Sequence, residues 1–370
     1  MYKTNEMPKR YPIDGTFELT IRCNLHCKMC LFRHDDSENA DIIANELSST
    51  QWIDLAKQVA EAGTGNLLIT GGEPMLRSDF CEIWEGIYKQ GFIITLYTNA
   101  TLVTPKIMET LKKYPPHKIG ITIYGASPET YSKVCGNSIF FQKMIKGVHL
   151  LQTLPSIIEF RTTIIKDNFN DVNALDCLAK NEFKQEYGVK QSFPVNKAVR
   201  GACANVEFCR VEAEEDVKMK IQRTVNEIHK IVGEQFNPKN LVIKRQNSGI
   251  ATKNSLNRNI SFFGCQAGVT QYTITYDGKL IACQMIDMFS IDVLQNTFQK
   301  AWEQFPHEIH IPSTEIKCDR CEFVNYCQSC YASRYAETGD FNGCSKYIYD
   351  IAKARYKYEN NLGGFNNEKE

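Results

Sequence analysis

Six short apolar segments alternate with helical patterns through residues 15–200, and this alternation constrains the fold more than any other feature. The segments have the length and the β-branched content of buried strands. The candidate strands are FELTIR (17–22), NLLIT (66–70), FIITLYT (92–98), KIGITIY (118–124), IIEFRTTII (157–165) and VKQSFPV (189–195). The patterns between them are amphipathic, as in SSTQWIDLAKQVAEAG, which begins with serines suited to an N-cap and stops at Gly63.

A series of βα units predicts an α/β fold with a parallel sheet and helices outside it. The units are too few to close a TIM barrel. We therefore expect residues 1–202 to form a partial (β/α)6 TIM-like barrel that is open on one side. Functional sites in such folds lie at the carboxyl ends of the strands.

The stretch CNLHCKMC follows the first predicted strand and contains Cys23, Cys27 and Cys30. Soft thiolates at short spacing select zinc, copper(I) or an iron–sulfur cluster. A structural zinc needs a fourth ligand, and His26 and His34 are nearby, although a tight loop favours an outward-pointing His26. The residues alone favour a cluster and leave zinc open. A cluster held by three cysteines would leave one iron for a substrate or cofactor.

A second set of cysteines lies in residues 265–344 of this chain, which has fifteen cysteines in all. The set comprises Cys265, Cys283, Cys318, Cys321, Cys327, Cys330 and Cys344. A zinc knuckle built from two CxxC pairs is the plain alternative, but only five residues separate the pairs, and the two upstream cysteines would have no role. In a reducing compartment, metal ligation explains so many cysteines better than disulfides do.

The second strand ends in TGGEP, which contains Gly71, Gly72, Glu73 and Pro74. The glycines let the backbone approach a ligand closely, and the glutamate offers a carboxylate, although an ordinary βα turn has the same composition. Together with the cysteine triad, this segment resembles the radical S-adenosylmethionine (radical SAM) superfamily. The resemblance implies a four-iron cluster on the triad, with its fourth iron chelated by SAM, and a GGEP segment that binds the SAM amino group.

The resemblance extends to other positions at the ends of the strands. It implies SAM contacts at Thr98 and Asn99 of TNA and at Thr122, while Arg161 is either a partner of the SAM carboxylate or a structural arginine. Met29 departs from the family, which usually has an aromatic residue before the third cysteine. Such enzymes cleave SAM reductively to a 5′-deoxyadenosyl radical, which takes a hydrogen from the substrate.

The C-terminal cysteines resemble the SPASM domain, an extension of radical SAM enzymes that carries two auxiliary four-iron clusters. The resemblance assigns auxiliary cluster I to Cys265, Cys283 and Cys330. It assigns auxiliary cluster II to Cys318, Cys321, Cys327 and Cys344. Cluster I is then completed by Cys203 or Cys209, or it keeps an open iron, which we favour because neither cysteine lies at a family spacing. The expected cofactors are three [4Fe-4S] clusters and SAM.

The domain boundaries predicted from the sequence place a mostly helical connector at 203–260 and the Cys-rich SPASM domain at 261–350. A C-terminal helix and tail are expected at 351–370. Within the SPASM region, TQYTITYDGKLIACQ predicts a hairpin that turns at Asp277 and Gly278.

Most SPASM enzymes modify ribosomally made peptides or proteins, so the resemblance implies a maturase that forms a thioether or carbon–carbon crosslink in a peptide. Sulfatase-maturating enzymes, which form formylglycine, use an aspartate base directly after the second auxiliary cysteine. That position is Gln284 here, and an amide cannot take a proton at neutral pH. Biosynthesis of a peptide-derived cofactor is another alternative. A non-catalytic zinc-binding interaction module would explain the CxxC pairs but neither TGGEP nor the cysteine triad.

The charge balance excludes some partners. Lys+Arg and Asp+Glu both number 43, and the sequence has no basic stripe for nucleic acid. No segment approaches the ~20 apolar residues of a membrane helix, and the N-terminus lacks the apolar run of a signal peptide, so we expect a cytoplasmic protein with no membrane partner. Expected partners are a peptide or protein substrate and an electron donor such as flavodoxin or ferredoxin. Because the first strand begins by residue 17, leader recognition is expected on a separate leader-binding protein or the barrel surface.

Overall fold

The structure is a computed structural model, and it describes most of the chain in two compact units. The described residues are 9–32, 34–186, 188–191, 195–197, 200, 206–233, 237, 262–263, 265–310 and 317–360. The first unit combines Met1–Arg210 with Gln266–His310, and the second combines Val211–Cys265 with Ile311–Glu370. Residues 266–310, which the sequence boundaries assign to the C-terminal domain, thus group with the barrel.

The described strands form one sheet, in the order β6-β5-β4-β3-β2-β1-β7-β8-β9. The strands are β1 (Asp14–Glu18), β2 (Asn66–Thr70), β3 (Ile93–Thr98), β4 (Lys118–Thr122), β5 (Ile157–Thr162), β6 (Lys190–Gln191), β7 (Gln271–Ile274), β8 (Lys279–Cys283) and β9 (Ile286–Asp292). Strands β1 to β6 pair in parallel with their neighbours, which confirms the predicted α/β fold with six parallel strands. The sixth is shorter than predicted within the part that the structure describes.

Both units contain α-helices. The described helices are α1 (Asn39–Asn45), α2 (Ser49–Glu61), α3 (Phe80–Tyr88), α4 (Pro105–Lys113), α5 (Pro128–Cys135), α6 (Ile139–Leu151), α7 (Val172–Asn181), α8 (Ala213–Val232), α9 (Phe298–Glu308), α10 (Tyr331–Thr338) and α11 (Lys346–Asn360). Of these, α1 to α7 and α9 lie in the first unit, and α8, α10 and α11 lie in the second. Helix α2 begins as predicted, because Ser48 accepts a hydrogen bond from the backbone of Gln51, and it ends before Gly63, whose φ is +101°.

The predicted hairpin is confirmed, and it extends the barrel sheet. Strands β7 and β8 pair antiparallel, and Gly278 at their turn has a φ of +82°. Strand β7 also pairs in parallel with β1, from Asp14 opposite Gln271 to Phe17 opposite Ile274. The hairpin therefore covers the edge of β1, whose backbone donors and acceptors would otherwise lie open.

Side chains alternate between two different faces of the parallel strands. Phe17 and Phe160 are buried on the helix-covered face, where their rings lie 4.9 Å from those of Trp52 and Phe183 respectively. The opposite face, which we call the inner face, carries half-buried and mostly polar side chains. These are Thr16, Leu68, Thr95, Tyr97, Lys118, Thr122, Glu159 and Arg161. Alternation thus separates a packed core from a polar wall.

In the second unit, α8 and α11 pack through a small apolar cluster. Its members are Ala213, Val217, Ile221, Val225, Ile351 and Ala354. The C-terminal helix is confirmed, although it begins at Lys346, earlier than predicted. None of the described helices has the length and apolar character needed to cross a membrane.

Candidate active site

The three N-terminal cysteines lie in one loop beyond the carboxyl end of β1. The backbone N–H of Leu25 donates to Cys23 Sγ, and that of Phe32 donates to Cys30 Sγ, with a nitrogen–sulfur distance of 3.4 Å in each case. Burial raises the pKa of the Cys23 thiol, and the nearby charges of Cys27, Glu73 and Cys30 raise it further. The loop therefore holds the three thiols near one another, with Cys27 buried and Cys23 and Cys30 half-buried. Across the part of the chain that the structure describes, no group of three or more His, Cys, Asp or Glu side chains is arranged to hold a metal ion.

Both nearby histidines interact with groups other than the cysteines. The exposed His26 ring lies 3.1 Å from the carboxylate of Asp36. The His34 ring bonds Asn39 Oδ1, also at 3.1 Å. The outward orientation predicted for His26 is thus what the structure has.

Two glycines let the end of β2 pack directly on the backbone that leads into the cysteine loop. Gly71 has a φ of +154°, and a Cβ there would lie 2.3 Å from the carbonyl oxygen of Thr20. A Cβ on Gly72 would lie 2.3 Å from the carbonyl oxygen of Arg22. The N–H of Gly72 donates to Thr20 at 2.7 Å, and that of Glu73 donates to Arg22 at 2.9 Å. Only glycine fits both positions.

Glu73 is a wholly buried carboxylate that joins the ends of β2 and β3. It accepts hydrogen bonds from the backbone N–H of Asn99 at 2.7 Å, from Thr98 Oγ1 at 2.9 Å and from the N–H of Met75 at 3.2 Å. Burial nevertheless raises its pKa to about 7, because these bonds offset only part of the cost of desolvation. The bonds fix the segment that follows β3, and Pro74 begins a short 3-10 turn on the other side.

Asn99 extends this connection to the cysteine loop. Its Nδ2 lies 3.7 Å from Cys23 Sγ and donates to Asn24 Oδ1 at 3.1 Å. Its Oδ1 accepts from the N–H of Thr101 at 2.9 Å. The structure thus brings together the cysteine loop, the GGEP segment and TNA, as the sequence predicted for neighbouring strand ends.

The two remaining predicted SAM contacts lie next to each other on the inner face. Thr122 and Arg161 are register partners on β4 and β5. The Arg161 guanidinium lies 4.4 Å from the centre of the Tyr97 ring. Gly120 leaves room for this stacking, since a Cβ there would lie 2.6 Å from the same ring. Arg161 thus packs on Tyr97 beside Thr122, and the contact of either residue with SAM stays a prediction.

A buried ion pair, which the sequence analysis missed, lies beside the loop. Glu18 is fully buried, and its two oxygens bond Arg200 Nη2 at 2.7 Å and Nη1 at 3.0 Å. Gln284 Nε2 donates to the same carboxylate at 3.0 Å. Burial alone would lower the pKa of Arg200, but the hydrogen bonds and charge of Glu18 outweigh it, and the pKa is raised. The guanidinium is 5.2 Å from the centre of the Phe32 ring, two residues after Cys30.

The position that would hold the base of a sulfatase-maturating enzyme is thus occupied by an amide that donates to a carboxylate of β1. A signal for Glu18 existed in the sequence, because a glutamate interrupts the apolar strand FELTIR. No comparable signal pointed to Arg200, which is 182 residues away along the chain.

A second missed network anchors the chain that leads into Cys23. Glu46 forms an ion pair with Arg22 at 2.8 Å and another with Arg77 at 3.4 Å. Arg77 also donates to the carbonyl oxygens of Leu19 at 2.9 Å and Leu47 at 2.8 Å. These bonds hold the end of β1 in a fixed position relative to the residues after GGEP.

In the second unit, four of the C-terminal cysteines come together. Burial raises the pKa of the Cys344 thiol, and the charges of Cys327, Cys318 and Cys321 raise it further. These four are the cysteines assigned to auxiliary cluster II. They lie within electrostatic reach of one another, as ligands of a shared cluster must.

The three cysteines assigned to auxiliary cluster I belong to different units. Cys283 ends β8 in the first unit. Cys265, which is exposed, and Cys330, which is the half-buried N-cap of α10, belong to the second unit. Cys209 is buried, and its thiol donates to the carbonyl oxygen of Val206 at 3.4 Å. Cys203 lies outside the described residues.

Residues 17–176 match the family model described as the radical SAM superfamily. The match covers the cysteine loop, the GGEP segment and TNA, and it confirms the predicted resemblance to radical SAM enzymes, a superfamily that uses a [4Fe-4S] cluster with SAM.

Among curated proteins, the chain is similar to the AdoMet-dependent heme synthase of Methanosarcina barkeri, with 25% identity over 335 residues, which are 88% of this chain and 93% of that protein. It is similar to the Fe-coproporphyrin III synthase of the same organism, with 24% identity, over 86% of this chain and 82% of that one.

Two solved structures have the same fold. SuiB of Streptococcus suis bound to the precursor peptide SuiA has a TM-score of 0.66 and 15% identity, over 92% of this chain and 77% of that one. The anSMEcpe enzyme with bound AdoMet has a TM-score of 0.65 and 16% identity, over 96% of this chain and 98% of that one.

Proposed function

We propose that the protein is a SPASM-type radical SAM enzyme that oxidatively modifies a ribosomally made peptide. The cluster would be held by Cys23, Cys27 and Cys30. The GGEP segment, Thr98, Asn99, Thr122 and Arg161 would hold SAM, and the C-terminal cysteines would hold the auxiliary clusters. The donor set fits a cluster because it consists of three buried or half-buried thiols on one loop, two of which accept backbone hydrogen bonds. Gly71 and Gly72 let the GGEP segment pack directly on the backbone that leads into the cysteine loop, which keeps the predicted SAM-binding segment beside the cysteines.

The inner face of the barrel is the observation that favours a peptide. Its described side chains are mostly polar or charged, including Tyr97, Thr122 and Arg161, with Glu159 paired to Lys118 at 3.7 Å. A peptide offers backbone and side-chain hydrogen-bonding groups along its length, which suit such a wall. The SuiB fold, which was solved with a precursor peptide, supports this choice of substrate.

The chemistry of crosslinking requires one oxidant besides SAM. When bound, the cluster and SAM supply a radical that removes one hydrogen atom from the peptide. Closing a thioether or carbon–carbon bond then releases a proton and one electron, so the product is two hydrogens lighter. An auxiliary cluster can accept that electron, and a flavodoxin or ferredoxin supplies the electron that cleaves SAM. The role of the barrel side chains is to orient the peptide and exclude water.

The test uses protein purified and reconstituted without oxygen. It is incubated with SAM, dithionite and each short cysteine- or aromatic-containing peptide encoded beside its gene. We expect 5′-deoxyadenosine together with a peptide that has lost two hydrogens, located by tandem mass spectrometry. Formylglycine would instead support the sulfatase-maturating alternative despite Gln284. SAM cleavage with every peptide unchanged would contradict the peptide proposal.

A second candidate substrate is an iron porphyrin. It is favoured by the relatives named heme synthase and Fe-coproporphyrin III synthase, which align with most of this chain. The side-chain carboxylates of such a substrate could pair with Arg161. The same assay with iron coproporphyrin III, followed by absorbance in the Soret region and mass spectrometry, separates the candidates. A converted porphyrin beside unmodified peptides would replace the first proposal with this one.

A further inference from the structure

Arg334 is a buried cation whose outer nitrogens lack a well-formed hydrogen bond to any group among the described residues. It lies on α10 in the second unit, and its side chain is only 1% exposed. Its Nε donates to Ser329 Oγ at 3.1 Å. Nη1 and Nη2 are also buried, and neither meets strict hydrogen-bond geometry with a group in the part of the chain that the structure describes, although the side chain lies close to Cys318. Burying a guanidinium in this state is costly, so an anion is expected to lie beside it in the complete protein.

The surroundings of Arg334 indicate where that anion lies. Ser329 Oγ is 3.0 Å from Cys327 Sγ, so one hydroxyl links the guanidinium to a predicted cluster ligand. Arg334 also lies close enough to Cys318 and Cys344 for its positive charge to act on both side chains. The guanidinium therefore lies beside the thiols assigned to auxiliary cluster II.

We propose that Arg334 donates hydrogen bonds to the sulfur atoms of auxiliary cluster II and raises its reduction potential. The proposal rests on the proposed function, because it requires that cluster. A cluster with four thiolate ligands is an anion, and reduction adds one negative charge. A fixed buried cation stabilises the reduced state more than the oxidised state, and N–H donors to the sulfurs act in the same direction.

Arg334 thus affects the electron-accepting step indirectly, through the reduction potential of the cluster, and it does not contact the substrate. As the substrate radical closes its new bond, it loses one proton and one electron, and the cluster gains that electron. A higher potential makes this transfer more favourable. Without the cation, we expect the cluster to assemble but to accept the electron less readily.

The experiment compares full-length wild-type protein with Arg334→Gln and Arg334→Lys after anaerobic reconstitution. Iron and sulfide content report assembly, and a redox titration followed by electron paramagnetic resonance reports the potential of the signal that Cys318→Ala removes. We expect Arg334→Gln to keep its iron while its equilibrium constant for reduction falls at least tenfold, which is about 59 mV for a one-electron couple. The reduction potential of Arg334→Lys should lie between those of the wild type and Arg334→Gln, since lysine keeps the charge and loses the planar donors.

The control is Lys353→Gln, which removes one positive charge from an exposed position of α11 in the same unit and should leave the potential unchanged. An Arg334→Gln cluster with full iron and an unchanged potential would overturn the proposal. If that variant fails to assemble, Arg334→Lys decides, because a wild-type potential in it contradicts the donor role. Wild-type protein without a signal dependent on Cys318 would instead refute the auxiliary cluster, and with it the proposed function.

Discussion

The most informative residue of the site is Glu73, because its burial and its hydrogen bonds act in opposite directions. Three donors hold the carboxylate in place, yet burial keeps its pKa near 7. The residue type was predictable from the GGEP pattern. Its hydrogen bonds with Thr98 and Asn99 were not predictable, because the same sequence allows a glutamate at a strand end to face either a ligand or the protein.

The raised pKa of Glu73 makes the stability of the cluster-free protein depend on pH. The folded protein binds this proton more tightly than the unfolded chain, so the free energy of unfolding falls as the pH rises from about 4.5 to about 7. The full effect is on the order of 3 kcal/mol. Glu73→Gln should flatten this part of the profile, as measured by urea unfolding at several pH values, whereas Glu109→Gln at an exposed site should not. An unaltered slope in Glu73→Gln would show that the carboxyl titrates normally.

Gly72 provides a steric prediction at the same scale. An alanine Cβ would lie 2.3 Å from a backbone oxygen of Arg22, so the chain before Cys23 must move. We expect Gly72→Ala to cost about 1–3 kcal/mol and to weaken SAM binding, measured by thermal unfolding and calorimetry of the reconstituted protein. Gly65→Ala is the matched control, because a Cβ there meets nothing within 4 Å. Equal behaviour of the two variants would mean that the close approach is unimportant.

At the scale of elements, the Glu18–Arg200 ion pair connects strands that are far apart in sequence. It joins β1 to a residue beyond β6, and Gln284 after β8 completes it. A fully buried carboxylate with one partner removed is an uncompensated charge, which is far less stable than either the intact pair or two neutral groups. The pair therefore couples the sheet end that carries the cysteine loop to two other segments of the first unit.

Removal of one partner should thus be worse than removal of both. We expect Arg200→Gln to destabilise the protein by about 3–5 kcal/mol, and Glu18→Gln combined with Arg200→Gln to recover part of that loss. Chemical unfolding of the two single variants and the double variant forms the required cycle. Additive losses would indicate that the two side chains contribute independently despite their 2.7 Å contact.

At the scale of the whole molecule, the sequence predicted the individual strands and turns, but it did not predict which strands pair when they lie far apart in the chain. Short apolar segments between helical patterns identified the six parallel strands, and turn chemistry identified the hairpin at Gly278, because both signals lie within a few residues. The pairing of β7 with β1 joins segments about 250 residues apart, and no local pattern encodes which edge a hairpin will cover. The cysteine triad and the CxxC pairs were recognisable because their spacing is itself local, and the assignment of cysteines to clusters stays a prediction.

The division into two units leads to the last prediction, which separates their chemistry. The Cys23 loop lies in the first unit, and Cys318 with its three neighbours lies in the second. Fully reconstituted protein should hold about twelve irons on the predicted ligand count. Cys23→Ala should abolish reductive SAM cleavage while auxiliary iron stays bound. Cys318→Ala should lose about a third of the iron. This variant should form no modified product, yet it should still form 5′-deoxyadenosine. Iron analysis with chromatography of the nucleoside measures both, and SAM cleavage by Cys23→Ala would disprove the assignment of the SAM-binding cluster.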